Sequence, residues 1–162
     1  MNHQSVDEIA AVERVVYQYG DILFRICFIM LGNIADAEDV VQETMIRYMQ
    51  KRPVFASVDH EKAWLITTAR NKCRDMMRFR MRHPQTNLEE LQIIAPELEE
   101  QGILESLMYL PEKYRIVLVL YYVEDYRINE IATMLRKSPS AIKMRLRKGR
   151  KLMEEKLRKE QR

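Results

Sequence analysis

Residues 128–150 read INEIATMLRKSPSAIKMRLRKGR, and this stretch decides the fold. Ile128, Ile131, Ala132 and Leu135 recur at i, i+3, i+4 and i+7, which is one face of a helix. The small Ala132 lets a second helix approach closely. A break at Arg136-Lys137 follows, then Ser138, a good N-cap, and Pro139, whose fixed φ suits the first helical position. Ile142, Leu146, Gly149 and Met153 give the new helix a face to bury. Its opposite face carries Ser140, Lys143, Met144, Arg147, Lys148 and Lys151. A bracing helix followed by one that can enter the major groove is the helix-turn-helix layout. Angular spacing puts Ser140, Lys143, Met144 and Arg147 where base edges lie, and Arg145, Lys148, Arg150 and Lys151 nearer phosphates. The plain alternative is an αα-hairpin with a basic, solvated face.

Charge extends this reading along the chain. The net charge of +3 conceals strong segregation. Arg136 to Arg162 holds twelve Lys or Arg against three Glu, and Arg70 to Arg82 holds six against the single Asp75. Between them, Pro84 to Leu104 has five glutamates and no Lys or Arg. Two basic segments flanking an acidic one suit two contacts with one polyanion, or two solvated helix faces.

Upstream, residues 7–31 have helical periodicity without proline, and Gly32-Asn33 is a helix stop. Asp36 is placed as an N-cap, with Glu38 and Asp39 favourable in the first turn. Ala37, Val40, Val41, Met45, Tyr48 and Met49 form one apolar stripe, so an amphipathic helix runs to about Arg52, where Pro53 ends it. Asp36, Asp39 and Glu43 share an exposed strip of that helix, with Gln42 beside it. A loop, Pro53 to His60, leads to a helix beginning near Glu61 that buries Ala63, Trp64, Ile66, Ala69, Cys73 and Met76 or Met77. Thr67, Asn71, Arg74 and Arg78 fall on one face of it at i, i+4, i+7 and i+11. The expected architecture is all-α: two small helical domains, 1–83 and 103–162, joined by a flexible acidic linker at 84–102.

Composition excludes other classes. Hydrophobic residues at 47% and charged residues at 31%, with four glycines and five prolines, suit a helical core rather than disorder or a turn-rich β fold. The eleven methionines read as core filler. Cys27 and Cys73 are far apart in apolar stretches and read as buried hydrophobes in a reducing compartment; no Cys/His cluster suggests a metal. Met1 to Asp7 has neither a basic patch nor an apolar signal core, and the apolar run Ile26–Leu31 is too short to cross a membrane. His3, His60 and His83 sit at a terminus or in loops, and no phosphate loop or nucleophile elbow is present. A cytoplasmic, non-enzymatic protein without a cofactor is expected.

Read together, Leu31-Gly32-Asn33-Ile34-Ala35-Asp36-Ala37-Glu38-Asp39-Val40-Val41-Gln42-Glu43-Thr44, then Ala63-Trp64-Leu65 and Ala69-Arg70-Asn71, resemble domain two of the extracytoplasmic-function sigma factors. Leu110-Pro111-Glu112-Lys113-Tyr114-Arg115-Ile116-Val117-Leu118 resembles the entry to their domain four. Glu130-Ile131-Ala132 and Ala141 to Arg150 resemble its helix-turn-helix. The ordered set covers nearly the whole chain.

The resemblance implies a bacterial transcription-initiation subunit that binds core RNA polymerase, through its β′ clamp helices and β flap, and places it on promoter DNA with −35 and −10 elements. It puts Asp36, Asp39, Gln42 and Glu43 at the polymerase clamp. It puts Phe55 and Ser57, in the loop that captures a flipped base, together with Thr67, Arg70, Asn71, Arg74 and Arg78, at the −10 element. Ser140, Lys143, Met144, Arg145, Arg147, Lys148 and Lys151 then face the −35 element. It further implies an anti-sigma partner, membrane-bound in many relatives, which would hold the chain at the membrane, and a free monomer. Holding a melted strand needs basic groups and a pocket for an unstacked base, which the α-helical row from Thr67 to Arg78 and the nearby Phe55 and Trp64 suit. Two features depart from the family pattern: Arg136-Lys137 replaces Gly and an apolar residue in the turn, and Met144 replaces a small polar residue. A stand-alone helix-turn-helix regulator with an N-terminal dimerisation bundle is the competing reading, and a stable dimer would mark it.

Overall fold

A computed structural model describes residues 3–80 and 103–162. The expected acidic linker at 84–102, with His83 before it, lies outside the described residues. Among these residues the chain is helical throughout: α1 (His3–Leu31), α2 (Ile34–Lys51), α3 (Val58–Arg80), α4 (Ile103–Tyr109), α5 (Glu112–Tyr122), α6 (Ile128–Leu135) and α7 (Pro139–Glu160). The all-α reading holds.

Local chemistry sets the helix ends. Gly32 takes φ 69, a conformation open to a residue without Cβ, and its N–H bonds the Phe28 carbonyl at 2.7 Å. The N-cap of α2 is Asn33, not Asp36: the Asn33 Oδ1 accepts the Asp36 N–H at 3.0 Å. The stop and the next start are thus adjacent residues, leaving no loop for Asp36 to terminate. Asp36 lies inside the first turn and is only 7% exposed, so it is not part of an exposed acidic strip. α3 also begins earlier than the periodicity suggests. Ser57 accepts the His60 N–H at 3.1 Å, which caps the helix three residues before Glu61 and shortens the loop.

Helices α1, α2 and α3 pack as a three-helix bundle around Leu23, Ile26, Phe28, Val40, Leu65 and Ile66. Cys27 and Cys73 are fully buried and hydrogen-bonded to each other, joining α1 to α3. That bond and burial push the Cys73 thiol up, so it stays protonated and inert. Helices α4 to α7 form the second unit, in which α7 packs on α4, α5 and α6. Gly149 lets α7 close on α5: a Cβ there would come within 3.1 Å of Leu118. The two units are in contact, α3 against α6 and α1 against α5, so their buried residues form one continuous cluster.

The turn of the second unit carries backbone strain where the sequence lacks glycine. Arg136 takes φ 52, ψ 49. Its Cβ pays the left-handed penalty of about 1–2 kcal/mol, against which glycine would lose more entropy on folding. Arg136→Gly should therefore raise stability by about 0.5–1 kcal/mol, or about 1–4 °C in melting temperature. Thermal unfolding followed by circular dichroism checks this, and an unchanged or lower midpoint would count against a strained turn.

Candidate nucleic-acid interface

The helix-turn-helix is built as its residues dictate. The Glu130 Oε2 accepts the Arg127 N–H at 2.7 Å, holding the start of α6. At its end, the Lys137 N–H bonds the Ala132 carbonyl at 2.9 Å, closing the turn around left-handed Arg136. The Ser138 hydroxyl accepts the Ala141 N–H at 3.1 Å, and Pro139 opens α7. Ile142 and Leu146 are buried. Ser140, Lys143, Met144, Arg147, Lys148 and Lys151 are all exposed on the other face, Met144 by 72%.

Arg145 is the exception. It is half-buried, its Nη1 is buried without a hydrogen-bond partner, and its charge acts on Arg70 of the first unit. It does not share the full exposure of its neighbours on α7. Arg150, read as a phosphate contact, donates instead to the Tyr122 hydroxyl at 3.0 Å.

On α3, Asn71 and Arg78 are exposed, while Thr67 and Arg74 are half-buried on the same row. Arg70 departs from the expected cationic surface: it is 4% exposed and donates to Glu112 Oε1 at 3.3 Å. Burial lowers the pKa of its guanidinium, with Glu112 opposing. The cause is the second unit, which covers the side of α3 that the bundle leaves open.

Phe55 lies half-buried in an aromatic cluster, 6.3 Å from Tyr48, 5.9 Å from Trp64 and 5.5 Å from His60, centroid to centroid. Ser57 is exposed and occupied in capping α3. The acidic strip of α2 consists of Asp39, Gln42 and Glu43, all exposed. Glu43 pairs with Lys72 at 2.7 Å, so this strip borders the basic row of α3.

Two features carry no sequence signal. One is the Glu61 carboxylate, which gathers Arg14, Tyr19 and Tyr48 from the other two helices. The other is an apolar groove of about 350 Å³ between α4, α5 and α7, lined among others by Leu107, Leu118, Val119, Tyr122, Met153 and Leu157. Among the described residues no group of three or more His, Cys, Asp or Glu could hold a metal ion, and no helix is long and apolar enough to cross a membrane.

Two family models match the chain: Sigma-70 region 2 over residues 15–83 and Sigma-70, region 4 over residues 100–153. The chain is 31% identical to the ECF RNA polymerase sigma factor SigW of Bacillus subtilis, an alignment spanning 89% of this chain and 87% of that protein. It is likewise 31% identical to ECF RNA polymerase sigma factor SigL of Mycobacterium tuberculosis, over 85% and 84% of the two chains. The fold is also that of CnrH in its complex with the cytosolic domain of CnrY, with a TM-score of 0.66 and 24% identity over 90% of this chain and 86% of that one. RpoE of Bartonella quintana, in complex with the anti-sigma factor NepR, matches with a TM-score of 0.66 and 20% identity over 90% and 96%.

Proposed function

Because this chain belongs to the extracytoplasmic-function sigma factors of the sigma-70 family, we infer that its exposed surfaces divide the work of promoter recognition between them. As an alternative sigma factor it directs transcription initiation by core RNA polymerase at promoter DNA. We assign residues 1–83 to clamp docking and the −10 element, 84–102 to the linker, and 103–162 to the −35 element. The single observation that carries this assignment is the pairing of surfaces: a cationic helix-turn-helix face on α7 and a separate basic row on α3 bordered by an acidic strip. A protein that touched only DNA would gain nothing from that strip, whose charge repels phosphates.

Lys143, Met144 and Arg147, with Ser140, face the base edges of the −35 element, and Lys148 and Lys151 face its phosphates. Met144 offers apolar contact, as to a thymine methyl, rather than a strong hydrogen bond. Arg145, half-buried, reaches the DNA less freely than its exposed neighbours. At the −10 element, Asn71 and Arg78 are open to a strand now, while Arg70 and Arg74 become so when Glu112 withdraws. The aromatic cluster around Phe55 supports the base-capturing loop, with Ser57 fixing its exit. Asp39, Gln42 and Glu43 dock on the β′ clamp helices, and the apolar groove of the second unit receives the β flap. Asp36 contributes by shaping the start of α2. The relatives are sigma factors, which are not enzymes; we read this chain too as non-catalytic, cofactor-free, cytoplasmic and monomeric when free. An anti-sigma partner would hold it inactive, and a membrane-bound one would keep it at the membrane.

Arg147→Ala should weaken holoenzyme binding to its preferred −35 sequence by about 1–3 kcal/mol if Arg147 reads a base with two hydrogen bonds. Filter binding on a set of −35 variants checks this. Equal loss on every sequence would reassign Arg147 to a phosphate. The assignment as a whole is tested by fluorescence anisotropy of promoter fragments with the chain alone and with core polymerase. Tight binding is expected only for the assembly, and tight, sequence-specific binding by the free chain would contradict it.

A further inference from the structure

We propose that Glu112 latches the two domains of the free chain together and, by doing so, masks part of the −10 surface. This rests on reading α3 as the −10 helix. Glu112 stands at the first position of α5, and its carboxylate meets Arg70 at 3.3 Å and Arg74 at 4.0 Å, both on α3. The charge of Arg145 on α7 acts on Arg70, the Arg145 Nη1 is buried without a hydrogen-bond partner, and so is the Arg70 Nε. One carboxylate is therefore shared by the guanidinium groups of Arg70 and Arg74, and its charge also acts on buried Arg115.

That ratio makes closure conditional. Arg70 is buried in the closed arrangement, and burying an unpaired cation is costly, so the contact persists only while Glu112 supplies the opposite charge. The surplus of positive charge and the unfilled donors make the same cluster a site for phosphate oxygens, which bond guanidinium groups well. A nucleic-acid strand and Glu112 thus compete for Arg70 and Arg74. Beside this cluster the domains also meet through apolar contacts of α3 with α6 and α1 with α5, edged by polar pairs where Arg25 meets Glu124 at 2.6 Å and Lys62 lies 4.4 Å over the Tyr126 ring. When the charged groups at Glu112 find better partners the latch is released, and the −10 row is then complete.

The test uses the full chain carrying spin labels at Gln50→Cys and Lys159→Cys, which are exposed positions in the two domains; the native Cys27 and Cys73 are fully buried. Double electron–electron resonance should show one dominant interdomain distance in the parent. Glu112→Gln, which keeps the shape and removes the charge, should lower the closed-to-open ratio about tenfold. Its opened form should also bind a fluorescent oligothymidine several-fold more tightly than Glu105→Gln, an exposed site with the same change of charge. A Glu112→Gln distance distribution superimposable on the parent's overturns the latch, and equal oligothymidine affinity in the two variants overturns the masking. If Glu112→Gln loses helicity, Glu124→Gln at the far edge should open the chain about threefold, and no change there overturns the proposal. The distances need neither polymerase nor promoter, so failure of the latch and failure of the sigma-factor assignments are read separately.

Discussion

Glu43→Lys is expected to abolish binding to core RNA polymerase, weakening it by more than about a hundredfold, while leaving the fold intact. Glu43 is about half exposed and forms an ion pair with Lys72, itself partly exposed. Such a pair contributes about 0–1 kcal/mol, so its loss should shift the melting temperature by no more than a few degrees. Docking is another matter. Reversing a charge within a complementary interface replaces attraction by repulsion, at a cost of several kcal/mol. Asp39 and Gln42 remain beside it but cannot compensate for a cation within the strip. Co-elution with core polymerase and circular dichroism of the free variant together check the result. Unchanged assembly would remove Glu43 from the docking surface, and loss of helicity would assign it to the fold.

Glu61→Gln should destabilise the chain by about 2–4 kcal/mol at neutral pH. Its carboxylate is buried, accepts from Arg14 at 2.6 and 3.2 Å, from Tyr48 at 2.9 Å and from Tyr19 at 3.2 Å, and so ties α3 to both other helices of the bundle. The neutral amide keeps one acceptor but turns an NH2 group towards donors. Arg14 is half exposed, and its charge is partly screened by water, which holds the loss below that of a fully buried pair. The hydrogen bonds from Arg14, more than opposing burial, hold the Glu61 carboxyl below the usual carboxylate range. A group with a depressed folded pKa contributes stability that is fully present above its unfolded value, about 4.3, and is lost as pH falls through the folded one. Urea unfolding should therefore show the gap between parent and Glu61→Gln narrowing as the pH is lowered from 7 through that range. A gap that stays constant with pH would mean that shape, not charge, is what Glu61 supplies.

How much of this was legible in advance depends on the reach of each interaction. The helix-turn-helix is written within a few residues: Ser138 bonds three residues ahead, Pro139 fixes its own φ, and the apolar positions share a face by periodicity. The left-handed Arg136 follows from the same local logic, because the turn needs that conformation whichever residue fills it. The start of α2 was misplaced because Asn33 and Asp36 are both good caps, and only the sharp turn at Gly32 selects the first. Periodicity alone starts α3 near Glu61, whereas the bond from the His60 N–H to Ser57 starts it at Val58.

The remaining differences come from contacts distant in sequence. Periodicity assigns one buried face to α3, but this helix is covered on two sides, by α1 and α2 and by α6, so Leu65 and Arg70 are buried as well. Arg14 and Glu61 stand 47 residues apart and Arg70 and Glu112 stand 42 apart. No spacing rule pairs such residues; the fold brings them together. The exposed face of α7 was therefore readable almost residue by residue, apart from Arg145, whereas exposure along α3 depends on the second unit.

Run-off transcription from genomic promoter fragments, with bacterial core polymerase and the purified chain, tests the sigma-factor function most directly. Core polymerase with this chain should yield discrete transcripts from a small set of promoters sharing −35 and −10 sequences, and core polymerase with the Glu43→Lys chain should yield none. Transcripts that are identical with and without the chain, while the free chain binds palindromic DNA as a dimer, would contradict that function and identify a stand-alone regulator.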